Sequence, residues 1–138
     1  MRVFFDSSAF AKRYVDEAGT PEVLGWCDRA NELLLSVIAV PELVSAFQRL
    51  LREERLDSMQ YRQIKRELLE DIAGAVICDT TQTVVRQAID ALEARPLRAM
   101  DALHLAAALA NRADVFVSAD ARQCDAARHF GLQVVSLP

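Results

Sequence analysis

The stretch RVFFDSSAF, residues 2 to 10, runs apolar through Val3, Phe4 and Phe5, then stops on the carboxylate of Asp6 with Ser7 and Ser8 behind it. The same arrangement returns as VFVSAD, residues 115 to 120, where Val115 to Val117 lead through Ser118 to Asp120. Runs that are apolar at consecutive positions suit strands covered on both faces, as the parallel strands of an α/β sheet are. LLL (33–35), AVI (75–77) and VV (134–135) have the same character, and the intervals are mostly long enough for a crossover helix. The chain therefore reads as an α/β three-layer sandwich, with a parallel sheet of roughly five strands flanked by about seven helices.

The helices are expected at Ser7–Val15, Pro21–Ala30, Val37 to about Glu54, 58–73, Thr80–Ala94, Ala99–Arg112 and Ala121–Phe130. Proline opens the second, Pro96 follows the fifth, and Gly131 stops the last. The third is ambiguous at its start, since LLLSVIAV can continue as strand as far as Pro41. No strand separates the third helix from the fourth, so these two are expected to form a hairpin standing off the sheet, with apolar surface to spare for a partner.

With 138 residues the chain is long enough for one domain, residues 1–138, to bury a core without staples. Its 52% hydrophobic and 26% charged residues belong to an ordinary globular protein. The start passes directly into RVFF and no apolar run is long, so neither a signal peptide nor a membrane span is expected. Cys27, Cys78 and Cys124 are far apart and form no CxxC pair, which reads as buried reduced thiols in a cytoplasmic protein. The net charge of −4 argues against a surface that traps nucleic acid everywhere. A local basic face remains open between Arg49 and Arg66, where Arg52, Arg55, Arg62 and Lys65 alternate with Glu53, Glu54 and Asp57; its ordinary reading is a solvated helix face with i,i+4 pairs.

Taken singly, the acids have ordinary explanations. Asp6 and Asp120 stand where a strand hands over to a helix, and aspartate there caps exposed amides. Asp101, in MDALHLAAALA, sits in a first helical turn where a carboxylate complements the dipole. Glu42, in VPELVSAF, has no cation one turn away, with Ala46 at i+4. Their joint placement changes the weighing, because open parallel sheets bind ligands beyond the carboxyl ends of their strands near a switch in strand order. Carboxylates gathered there repel one another unless a cation sits among them. Oxygen ligands without a supporting cysteine or histidine pair suit Mg²⁺ or Mn²⁺, and such an ion supports phosphodiester hydrolysis. His104, in an alanine- and leucine-rich helix, reads as a packed residue, and His129 as a partner of a helix C-terminus. No G-x-S-x-G, P-loop or G-x-G-x-x-G is present.

Together, FFDSSAFAKRYVDE, the PEL glutamate, MDALHLAAAL and VFVSADARQCDAARHFGLQVV resemble the PIN-domain ribonucleases, specifically the VapC-type toxins of toxin–antitoxin pairs. The resemblance runs the length of the chain. It implies a Mg²⁺- or Mn²⁺-dependent endoribonuclease with core acids Asp6, Glu42, Asp101 and Asp120, the metal held by Asp6, Asp101 and Asp120, and hydroxyls at Ser7 and Ser118. It further implies a homodimer and a small antitoxin protein that offers a basic side chain to the acids and docks at the third and fourth helices. Ser118 stands where threonine is more frequent, and Asp125, a turn after Asp120, is an auxiliary acid. Lys12, Arg13 and Arg49 are candidates to position RNA through its phosphates. Two other readings stay open: an aspartyl-phosphate phosphatase or phosphoacceptor with Asp6 as nucleophile, and a non-catalytic interaction module on the same scaffold. Against the first, Ser8 stands two after Asp6 instead of a second aspartate, and no lysine follows Lys65.

Overall fold

The computed structural model describes residues 1–138. Five strands form a single parallel sheet in the order β3-β2-β1-β4-β5: β1 (Arg2–Phe5), β2 (Glu32–Ser36), β3 (Val76–Cys78), β4 (Val115–Ser118) and β5 (Gln133–Ser136). Register follows the apolar runs, with Phe5 opposite Val117 and Phe4 opposite both Leu34 and Phe116. Successive strand residues face opposite sides, and both sides are filled. Phe4, Leu34 and Phe116 pack under one helical layer, while Val3, Phe5, Leu35, Val115 and Val117 pack under the other.

Strand order reverses between β1 and β4. The chain proceeds outward from β1 through β2 to β3, then returns to place β4 on the opposite side of β1. This switch lies between the two strands that end in Asp6 and Ser118-Ala119-Asp120, and the Asp6 amide donates to the Val117 carbonyl at 3.2 Å across the junction.

The helices are α1 (Ser7–Phe10), continued by a 3-10 turn over Ala11–Arg13, then α2 (Thr20–Arg29), α3 (Ala39–Arg52), α4 (Ser58–Gly74), α5 (Gln82–Ala94), α6 (Ala99–Ala110) and α7 (Ala121–His129). The alanine-rich α6 lets its backbone approach the sheet closely: Ala102, Leu105, Ala106 and Ala108 are fully buried beneath Phe4 and Leu34. Pro41 falls in the first turn of α3, where its missing N–H leaves no bond unmade, and this resolves the ambiguous start of that helix. The α3–α4 hairpin is joined through Glu54 at φ +58° and closed by a capping box between Asp57 and Gln60.

Two expectations need correction. The first helix does not run on to Val15: it is α-helical only through Phe10, tightens to the 3-10 turn and gives way to a turn at Tyr14, although the Val15 amide still reaches the Ala11 carbonyl at 3.1 Å. The basic face from Arg49 to Arg66 carries no ion pairs at all; its one cation with a side-chain partner, Arg66, donates to Gln63. The three cysteines are free, and burial pushes each thiol pKa up. No helix is long and apolar enough to cross a membrane.

Candidate active site

Asp6 leaves β1 with only 3% of its surface exposed. Its Oδ1 accepts from the Ala9 amide at 2.9 Å and from the Ser8 hydroxyl at 2.8 Å, so the side chain caps α1 as its sequence position suggests. Its Oδ2 accepts from the Ser118 hydroxyl at 2.5 Å. Burial raises the Asp6 pKa, and the hydrogen bonds from Ser118, Ala9 and Ser8 only partly offset that rise. The ionised carboxylate is thus held at a cost, which suits a group that something positive is meant to approach.

Ser118 ties Asp6 to the other strand exit. Its Oγ accepts from the Asp120 amide at 3.0 Å and lies 3.2 Å from Gln123 Oε1. Asp120 caps α7, its Oδ1 accepting from the Gln123 amide at 3.0 Å. The fully buried Gln123 donates through Nε2 to the Asp101 carbonyl at 2.9 Å, which locks the first turn of α6 to that of α7. Asp101 and Asp120 consequently face one cation. Arg98 lies 3.4 Å from Asp101 through Nε and 3.8 Å from Asp120 through Nη2. These two acids, Arg98 and Arg122 line an open pocket of about 450 Å³.

Glu42 approaches from the first turn of α3. Its Oε1 accepts from the Ser7 hydroxyl at 2.7 Å and lies 2.5 Å from His104 Nε2, on the turn of α6 after Asp101. The His104 hydrogen bond is the largest influence lowering the Glu42 pKa; burial opposes it, and the Ser7 bond and the charges of His104 and Arg98 help. The charge of His104 also acts on Asp6. A carboxyl whose pKa falls on folding stabilises the protein fully above its unfolded value and loses that contribution as pH drops through the lowered value. A carbon-13 titration of the Glu42 carboxyl is expected to give a midpoint below 4.5, the ordinary value for glutamate; a midpoint above it would contradict the hydrogen-bonded geometry.

The four acids thus occupy three linked stations: Asp6 on Ser118, Asp101 and Asp120 around Arg98, and Glu42 on Ser7 and His104. They do not crowd together as the sequence suggested, and no three His, Cys, Asp or Glu side chains stand close enough to cage an ion as placed. Asp125 turns to Arg95, at 3.4 Å, on the exposed side of α7. Lys12 is buried and bound to the Ala18 carbonyl and Glu17, while Arg13 makes a two-pronged bond to Asp71, so neither is free for a phosphate. Arg49 is exposed and without a partner, but Arg98 and Arg122 are the cations at the acid pocket.

Sequence reasoning passed over Arg98 and Gln123 and read His104 as packing. Two signals were present: Gln123 stands three after Asp120, the spacing of a capping box, and His104 stands three after Asp101, on the same helix face. A cavity of about 770 Å³ lies between residues 14–16, just after the 3-10 turn, and the start of α4, and is lined by none of the four acids. Its size reflects the gap beside the hairpin, and the chemistry lies elsewhere.

Comparison with known proteins gives the following. The sequence profile described as PIN domain matches residues 3–129. Over 108 residues, covering 78% of this chain and 75% of the relative, the sequence is 32% identical to Ribonuclease VapC45 of Mycobacterium tuberculosis. Among solved structures, FitAcB from Neisseria gonorrhoeae superposes with a TM-score of 0.72 at 17% identity, over 97% of this chain and 96% of that one. A toxin–antitoxin complex from Klebsiella pneumoniae superposes with a TM-score of 0.70 at 13% identity, again over 97% and 96%.

Proposed function

The chain belongs to the PIN-domain family, in its VapC-type branch, and on that premise we propose that it is a divalent-metal-dependent endoribonuclease, the toxin of a toxin–antitoxin pair. The observation that carries this reading is the pair Asp101 and Asp120 facing a single guanidinium beside the strand-order switch, where Ser118 ties Asp6 to the Asp120 turn. Two carboxylates that share Arg98 within 4 Å can share another cation, and the donor set is oxygen throughout. That fits Mg²⁺ or Mn²⁺, hard ions that keep several waters and need few protein ligands. Asp6, Asp101 and Asp120 would hold it. Such an ion, when bound, would make water a nucleophile near neutral pH and stabilise negative charge on the phosphoryl oxygens.

The chain's own groups supply the rest. Ser118 keeps Asp6 Oδ2 fixed, and Gln123 keeps the Asp101 and Asp120 turns in step. Glu42, ionised and held by one oxygen, accepts the proton of the attacking water through the other. Arg122, which has no carboxylate partner, and Arg98, whose guanidinium reaches the acids only at 3.4 and 3.8 Å, would contact the phosphates on either side of the scissile bond. The aspartyl-phosphate alternative is disfavoured because Ser8, not a second aspartate, stands two after Asp6 and no lysine follows Lys65.

A relative is named a ribonuclease, and a structure of the same fold is described as a toxin–antitoxin complex; these names support RNA as substrate and a small antitoxin protein as partner. Val85, Ile89 and Leu92 form an exposed apolar stripe on α5, with Met100 also exposed, which supports a homodimer. Three free thiols suit the reducing cytoplasm.

Incubating the purified chain with total cellular RNA, with Mg²⁺, Mn²⁺ or a chelator, is expected to give discrete new ends with either metal and none with chelator. RNA left intact under all conditions would leave the non-catalytic module as the better reading.

A further inference from the structure

We propose that His104 is a positioning residue for the reaction: by holding Glu42 Oε1 it leaves Glu42 Oε2 as the one carboxylate oxygen presented to the water. This rests on the hydrolytic reading of Glu42.

His104 is 2% exposed and sits edge-on to Phe4, with ring centroids 6.4 Å apart at 73°. That contact fixes the plane of the imidazole. Its Nε2 lies 2.5 Å from Glu42 Oε1 and 3.3 Å from Ser7 Oγ, whereas its Nδ1 is buried with no hydrogen-bond partner.

The unpartnered nitrogen decides between two roles. A histidine kept only to fill space between α6 and the sheet would carry a destabilising buried orphan atom, and leucine would fill the same region without one. What leucine cannot provide is the N–H toward Glu42. A proton on Nε2 donates to Glu42, whereas a ring protonated on Nδ1 alone would bury an N–H with no acceptor and set a lone pair against a carboxylate.

Glu42 Oε1 is thereby saturated by two donors, Ser7 and His104, and Oε2 has no protein donor. The arrangement is not a nucleophilic triad, because the histidine nitrogen that an orienting carboxylate would hold is the one without a partner. His104 acts on the reaction through Glu42.

The test uses His104→Leu and His104→Gln in the full chain. His104→Leu is expected to keep or raise the melting temperature while kcat on RNA falls about 10–100-fold, the usual effect of removing a partner that orients a working group, with KM little changed. His104→Gln, whose side-chain amide can reach Glu42, is expected to recover a large part of kcat. An unchanged kcat in His104→Leu, or equal losses in both variants, would overturn the proposal. A long-range ¹H–¹⁵N spectrum of the wild type supplies a readout independent of activity. A proton is expected on Nε2, with its resonance displaced in Glu42→Ala, and a ring protonated on Nδ1 alone would overturn the proposal even if the chain leaves RNA intact, a result that by itself would defeat only the nuclease reading.

Discussion

Asp6→Asn is expected to yield a protein more resistant to heat than the wild type and unable to cleave RNA. The asparagine carbonyl oxygen can replace Oδ1 as acceptor for the Ala9 amide, so the cap on α1 survives. The Ser118 hydroxyl, which donates to Asp6 Oδ2, can instead accept from the new amide and donate toward Gln123 Oε1, 3.2 Å away. What disappears is a negative charge that burial disfavours. Since the folded pKa of Asp6 is raised, its ionised form destabilises the native state fully at pH values above that raised pKa. The penalty shrinks as pH falls through the folded pKa and is absent below the unfolded value near 3.8.

The stability gained by Asp6→Asn should follow the same course, growing as pH rises and gone in acid. A gain of even ~1 kcal/mol raises the melting temperature by about 3–5 °C in a chain of this size. Activity should fall by at least ~10², since the site loses a charged ligand and the loss of a mere orienting partner already costs up to about that factor. Thermal scans at pH 7 and pH 4, with RNA cleavage at pH 7, check both halves. A variant less stable at pH 7 but as active as the wild type would contradict the account on each. Stability and function pull against each other here, as at many sites built for reaction.

Phe4→Ala is expected to have the largest effect on stability. Phe4 is fully buried at the middle of the sheet and stacks on Phe116 with centroids 5.6 Å apart and planes 7° from parallel. Its other edge meets His104. Truncating such a ring removes its transfer free energy and leaves a cavity that the surrounding alanines of α6 are too short to fill, a loss of about 3–5 kcal/mol. Against a typical total of about 5–15 kcal/mol this is a large share, and the melting temperature should drop by roughly 10–20 °C. Urea unfolding should show a lower midpoint at unchanged slope. A shift of a degree or two would mean that the layer under α5, α6 and α7 is not packed as described.

The order of elements was readable because parallel strands must be apolar at consecutive positions, and the five runs beginning with VFF and VFV are so. The exits of Asp6 and Asp120 at adjacent strands followed from the same pattern, since a switch in strand order brings two such ends together. Contacts that depend on side-chain reach across elements were not readable. Lys12 looked like a free cation until Thr20, from the next helix, was seen to hold its carbonyl while Ala18 received its ammonium group. Arg98 gave no signal because its partners are set by how α6 and α7 start side by side, which Gln123 enforces from within the core. His104 was hidden by its company: among alanines and leucines a histidine reads as filling, and only the opposing Glu42, 62 residues earlier, gives its nitrogen a task.

Asp6, Asp101 and Asp120, delivered by three separate elements, are expected to take one divalent cation. Titrating Mn²⁺ calorimetrically into the wild type and into Asp101→Asn tests it most directly. The wild type should bind with measurable heat, and the variant should bind at least about tenfold more weakly. No binding by the wild type, or equal binding by both proteins, would contradict it.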